Sequence, residues 1–85
     1  MNERIEISDH ANEQAELRGA TQDEVREAIR TGEEVPAKKG RTGYRKTFQY
    51  GAAWREVYYE NKQVLAIVVR ENETVIVITV FAFYF

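Results

Sequence analysis

With 85 residues, the chain has room for one domain and a modest core. Hydrophobic residues make up 44% and charged residues 31%, the balance of a soluble fold rather than a disordered segment. The absence of cysteine excludes a disulfide frame and a thiolate metal site, and a net charge of −2 excludes a polyanion binder that is basic throughout.

Met1-Asn2-Glu3-Arg4 begins no apolar run, which argues against a signal peptide. Arg4-Ile5-Glu6-Ile7 alternates polar and apolar residues and predicts a short strand. Ser8 or Asp9 then caps a first helix from about Asp9 to Arg18, with Ala11, Ala15 and Arg18 on one side and Gln14 beside them. That stripe is small-sided, so the helix is expected to pack closely, and Gly19 ends it. Thr21 and Glu24 make a capping box for a second helix, whose buried stripe is Val25, Ala28 and Ile29 and which stops at Gly32.

The segment from Glu33 to Gly43 reads as an irregular, basic loop containing Pro36. From Tyr44 the period becomes two: Tyr44, Lys46, Phe48 and Tyr50 share one strand face, with Arg45, Thr47 and Gln49 on the other. Gly51-Ala52-Ala53 is expected to turn the chain, and a further strand follows from Arg55 to Arg70. Asn61-Lys62 is either a hairpin turn or part of that one long strand; the long strand keeps Val57, Tyr59, Leu65, Ile67 and Val69 in one parity. After a polar turn at Glu71-Asn72-Glu73, the last strand runs from Thr74 to Phe85, with Val75, Val77, Thr79 and Phe81 on one face and Ile76, Ile78 and Val80 on the other. Being apolar on both faces, it is expected to be central or covered. Its aromatic end, residues 81–85, either packs over the helices or meets a partner or a second copy. No stretch approaches the ~20 apolar residues that span a bilayer, so no membrane association is expected and the cytoplasm is the default compartment.

The charge is unevenly placed. Residues 1–34 hold ten acidic and four basic side chains, a balance of −6, and residues 35–85 hold eight basic and four acidic ones, a balance of +4. Anion binding would therefore be a local property of the second half, while the acidic half reads equally as a solvated helical face. Lys38-Lys39-Gly40-Arg41-Thr42-Gly43-Tyr44-Arg45-Lys46 carries five cations and no acid. Its guanidinium and ammonium groups suit phosphate oxygens, and Tyr44 and Tyr50 suit base stacking; the same run also reads as an ordinary solvated loop. His10, the single histidine, stands in the first turn of the first helix and reads either as a general base or phosphate donor, or as a local packing group. Lys62 projects from the sheet and meets an anion if its strand is continuous; otherwise it is merely exposed. Tyr84 reads as core. One histidine, no cysteine and no phosphate-cradling glycine motif leave no metal or cofactor to expect.

Ile7-Ser8-Asp9-His10-Ala11, Gln14, Arg18-Gly19-Ala20-Thr21, Glu24-Val25, Ala28-Ile29 and Gly32 resemble the opening of a family of short prokaryotic proteins known as domain of unknown function 4258. Gly43-Tyr44-Arg45-Lys46, Tyr58-Tyr59, Lys62-Gln63-Val64 and the ending Val77 to Phe85 are similar to one branch of it, so the resemblance covers nearly the whole chain. It implies a grouping with RelE-type toxins and barnase-like endoribonucleases. The fold class expected is thus α+β, two N-terminal helices packed on a curved C-terminal antiparallel sheet of three to four strands. It further implies His10, Arg45, Lys46 and Lys62 as catalytic candidates, while Gln14 departs from the arginine of many relatives.

Two functions follow as expectations. The first is a metal-independent, toxin-type endoribonuclease in which a 2′-hydroxyl attacks the adjacent phosphate. His10 would be the base or acid, Arg45 and Lys46 would hold the phosphate, and Lys62 would neutralise the transition state. Lys38, Lys39, Arg41 and Tyr44 would bind RNA, and an antitoxin would be the partner. The second is a non-catalytic interaction module that forms a homodimer or binds a partner through residues 81–85. The two differ in geometry, since a nuclease needs His10, Arg45 and Lys62 around one concave surface.

Overall fold

The computed structural model describes residues 3–85; Met1 and Asn2, the start of the segment read as carrying no leader, lie outside them. In chain order the elements are β1 (Arg4–Ile7), α1 (Asp9–Arg18), α2 (Gln22–Thr31), β2 (Glu33–Pro36), β3 (Thr42–Trp54), β4 (Val57–Glu71) and β5 (Thr74–Tyr84), with one short 3-10 turn at Lys38–Gly40. The strands form one sheet in the order β1-β5-β4-β3-β2.

This corrects the expected three- to four-stranded antiparallel sheet. The sheet has five strands and is mixed, because β1 runs parallel to β5 while the remaining pairs are antiparallel. The chain leaves β1 at one edge, crosses one face as α1 and α2, and re-enters at the opposite edge as β2. The fifth strand comes from Glu33–Pro36, read in the sequence as loop because Pro36 and flanking charges mask a four-residue edge strand. No helix among the described residues is long and apolar enough to cross a membrane.

The helices begin where their caps predict. The Ser8 side chain accepts from the Ala11 backbone N–H, and Thr21 and Glu24 make the reciprocal capping box. Ala11, Ala15, Val25 and Ala28 turn inward against Val64, Ala66, Val68, Val75, Val77 and Val80. No fully buried side chain is larger than valine, so the helices lie close to the sheet and gain little per residue from burial.

Two irregularities decide which way the strands face. Between β4 and β5 the register runs Ile67↔Thr79 and then Val68↔Val77, leaving Ile78 unpaired in a bulge. Val77 and Val80 therefore both stay buried beneath the helices, and the alternation beyond Ile78 is the reverse of the strict two-residue reading: Val80, Ala82 and Tyr84 turn to the helix face, Phe81 and Phe83 to the other. A second bulge, at Tyr50-Gly51, breaks the β3–β4 ladder, with Gly51 at φ 60°. It replaces the turn expected at Gly51-Ala52-Ala53. The chain reverses instead at Arg55-Glu56, both at positive φ, with Arg55 held by donating to the Leu17 carbonyl at 3.0 Å and by stacking on Trp54. β4 is continuous through Asn61-Lys62.

Gly19 is where the helix pair meets the sheet. It adopts φ 77° as the α1 cap, and a Cβ there would lie 2.5 Å from the Tyr84 hydroxyl and 2.6 Å from the Trp54 ring. Gly19→Ala is therefore expected to destabilise the fold by about 2–4 kcal/mol, from left-handed backbone strain plus overpacking. Urea unfolding followed by fluorescence of Trp54, the only tryptophan, measures this; an unchanged midpoint would contradict it.

Candidate functional site

The cations read from the sequence do not converge. Adjacent strand residues point to opposite faces, and this separates Arg45 from Lys46. Arg45 lies on the face away from the helices, donating through Nε to Glu33 at 2.8 Å. Lys46 lies on the helix side, with Nζ 3.0 Å from Glu27 and bonded also to Thr31. Lys62 is 4% exposed, with Nζ 2.7 Å from Glu24, 2.9 Å from the Gly19 carbonyl and 5.1 Å from the centre of the Tyr50 ring. His10 is exposed in the first turn of α1, the helix that packs on β5, two strands across from Arg45 and on the other side of the sheet.

Tyr44 is 6% exposed. Its hydroxyl donates to Glu34 at 3.1 Å and accepts from Arg70 at 2.6 Å, and the guanidinium lies over its ring. Both its ring and its hydroxyl are thus engaged inside the fold. Lys38, Lys39 and Arg41 are exposed around the 3-10 turn, and among the described residues none of them makes an ion pair.

Sequence reasoning missed the partners of these cations. Glu3 grips Arg70 in a forked pair at 2.8 and 3.1 Å. Glu24 serves both the capping box and Lys62. The carboxyls of Glu3, Glu27 and Glu33 are held below their usual 4.5, chiefly by hydrogen bonds from Arg70, Lys46 and Arg45 respectively. The only available signal was the excess of acid in the first 34 residues and of base beyond them.

The aromatic end of the chain is divided. Tyr84 stacks on Trp54 at 5.0 Å, meets the Tyr50 ring edge-on at 5.3 Å, and donates to the Arg18 carbonyl at 2.6 Å. Burial, with Tyr50 and Glu24 nearby, pushes its phenol up to about 12. Phe81 and Phe83 stack on the opposite face, where Phe83 is 49% exposed.

That outer face is apolar along β4 and β5. Leu65, Ile67 and Val69 of β4 alternate with buried Val64, Ala66 and Val68, and they stand beside Ile76, Ile78, Thr79, Phe81 and Phe83 of β5. A Cβ on Gly43 would lie 2.9 Å from Val35 and 3.2 Å from Leu65, so glycine lets these side chains close over the β2–β3 edge. Arg18 donates to the Val80 carbonyl at 2.8 Å and lies over the Phe81 ring, closing the β5 edge. Both helices lie on the other side, and among the described residues no element crosses this one. On this face Phe83 is exposed, while Leu65, Ile67, Val69, Ile76, Ile78 and Phe81 are part-buried against one another.

The profile of the family described as domain of unknown function (DUF4258) matches residues 7–82. The chain belongs to that family. No curated protein and no solved structure matches the chain. The match runs from the last residue of β1 into β5, two residues short of that strand's end, and assigns no reaction.

Two outcomes follow from the paired charges. Lys62→Ala leaves Glu24 without its cation and is expected to cost about 3–5 kcal/mol, whereas Lys38→Ala and Lys39→Ala stay within about 0.5 kcal/mol; denaturant midpoints compare them. The pH dependence has a definite sign. Carboxyls whose folded values are depressed contribute stability that is fully present above 4.5 and lost as pH falls through the lower folded values. Midpoints measured from neutrality to about pH 3 are expected to hold and then fall, with Glu27→Gln showing a shallower acid decline.

Proposed function

We propose that this DUF4258 chain is a non-catalytic interaction module whose working surface is the outer sheet face, with Phe81 and Phe83 of β5 at its aromatic end. The observation that carries this reading is the apolar strip of Leu65, Ile67, Val69, Ile76, Ile78, Phe81 and Phe83, which no part of the described chain covers. Phe83 is 49% exposed and the rest of the strip is part-buried, so a partner lying on this face would remove the remaining apolar area from water.

The rival reading, a toxin-type endoribonuclease, needs an imidazole and cations at one phosphate, within hydrogen-bond reach of the reacting atoms. Here Arg45, Lys46 and Lys62 each lie against a carboxylate, and His10 stands apart from all three. Binding a phosphate at any of them would first require displacing Glu33, Glu27 or Glu24.

Two measurements test the proposal together. RNA incubated with the purified chain is expected to survive as in buffer, and His10→Ala is expected to change nothing; RNA loss that depends on His10 would replace the module by the nuclease. In cells, a photo-reactive side chain at Thr79, on the outer face, is expected to capture a protein, while one at Glu13, on the exposed side of α1, captures none. Failure to capture at Thr79 would sink the module.

A further inference from the structure

We propose that the turn between β2 and β3 is a docking point for a carboxylate-rich segment of a partner protein, held by Lys38, Lys39 and Arg41. The turn shares no residue with the apolar strip of the outer face, so the two contacts are separate. Three observations carry the proposal.

The first is how the fold uses its other cations. The chain has twelve lysines and arginines. Five of them pair with carboxylates. Arg18, Arg26 and Arg55 donate to main-chain carbonyls. Among the described residues, Arg30, Lys38, Lys39 and Arg41 alone have neither kind of partner. Three of these four fall on one turn, and all three are exposed. A single solvated cation is ordinary, but three so close repel one another, and the fold places no carboxylate among them.

The second is their isolation from acid on a fixed backbone. From Val35 to Tyr44 the chain holds no aspartate or glutamate. The two acids of β2 are engaged elsewhere, Glu33 by Arg45 at 2.8 Å and Glu34 by the Tyr44 hydroxyl at 3.1 Å. The Ala37 N–H donates to the Arg41 carbonyl at 3.2 Å and the Arg41 N–H to the Lys38 carbonyl at 3.3 Å, with Lys39 at φ 62°. A Cβ on Gly40 would have no atom within 4 Å, so the turn stands in open space. Cations presented on an ordered turn lose less conformational freedom on binding than cations on a flexible loop.

The third is the kind of anion that fits. A guanidinium takes a carboxylate by two parallel hydrogen bonds, and the neighbouring ammonium groups take further oxygens as point charges. A nucleic acid asks for more, namely cations along the length of its backbone and aromatic faces for its bases. Without these three cations the chain's net charge of −2 becomes −5, and Asp9, Glu13 and Glu16 stand exposed on α1. Tyr44 offers no stacking face, since it is 6% exposed and its ring lies under the Arg70 guanidinium. A short acidic segment meets the turn alone and escapes the repulsion that a long polyanion would meet.

Fluorescence anisotropy of a dye-labelled oligoglutamate, and of an RNA of matched length, titrated with the full chain tests this. The peptide is expected to bind at about 20 mM salt and to weaken several-fold at about 150 mM. Lys38→Glu combined with Lys39→Glu is expected to weaken binding by about 10-fold or more, while Arg30→Glu, at the free cation outside the turn, stays within about two-fold. Circular dichroism checks that the double variant is folded; Lys38→Gln with Lys39→Gln takes its place should it not be. The absence of peptide binding at low salt overturns the proposal, as does binding that the turn substitutions leave unchanged, or RNA that binds more tightly than the peptide through the same residues. Capture at Thr79 is read independently, so the loss of either contact leaves the other standing.

Discussion

Lys62 stands on the middle of the longest strand with its ammonium group beneath the turn between the two helices, bonded to the Gly19 carbonyl and to Glu24. The surrounding core is built from alanine and valine, which bring the helices close but bind them weakly. A desolvated charge pair is costly in isolation, and this one is tolerable because its partners are already ordered. Gly19 caps α1, and Glu24 caps α2 through the Thr21 backbone N–H. Trp54 and Tyr84 then close against Gly19, with the Tyr84 hydroxyl on the Arg18 carbonyl. The cation thus fixes where both helices sit on the sheet, and a lysine that resembles a catalytic residue in the sequence acts here as a clamp.

The same logic extends across the molecule. Glu3 meets Arg70, Glu24 meets Lys62, Glu27 meets Lys46 and Glu33 meets Arg45. In each of these four pairs the acid comes from the first 34 residues and the base from the remainder, while Arg4 and Glu6 pair within β1. The uneven charge along the chain is therefore taken up within the fold, as contacts that tie the N-terminal strand and the helical layer to the sheet and close the β2–β3 edge. The more exposed of these pairs contribute little each, but together they fix the register of distant segments. Lys38, Lys39 and Arg41 stand exposed on and beside the short turn between β2 and β3.

Polarity and shape are divided between the two sides of the sheet. The helix side carries the small buried residues, the lysine clamp and the tyrosine–tryptophan stack. The outer side carries Leu65, Ile67, Val69 and Ile76 with two phenylalanines, while Ile5, Ile7, Ile29 and Phe48 pack against the core. A single extra residue, Ile78, produces this division at the end of β5, because it reverses the alternation between Val77 and Val80. Membership of DUF4258, over residues 7–82, includes that bulge and most of the face.

What the sequence determined by itself was local. Both helices, their caps at Ser8 and Thr21, their glycine ends, the strand at Arg4–Ile7 and the long strand through Lys62 all follow from nearest-neighbour chemistry and periodicity. Only the tertiary structure decided the rest. Glu33–Pro36 is a strand because β3 supplies its partners, and β1 is parallel because the helices carry the chain over the sheet. The bulges that turn Tyr84 inward and Phe83 outward arise from the pairing of distant strands, which no period within one strand records. The roles of Arg45, Lys46 and Lys62 were hidden for the same reason: whether a cation is free to meet a phosphate depends on the carboxylate that folding brings to it, between twelve and thirty-eight residues earlier in the chain.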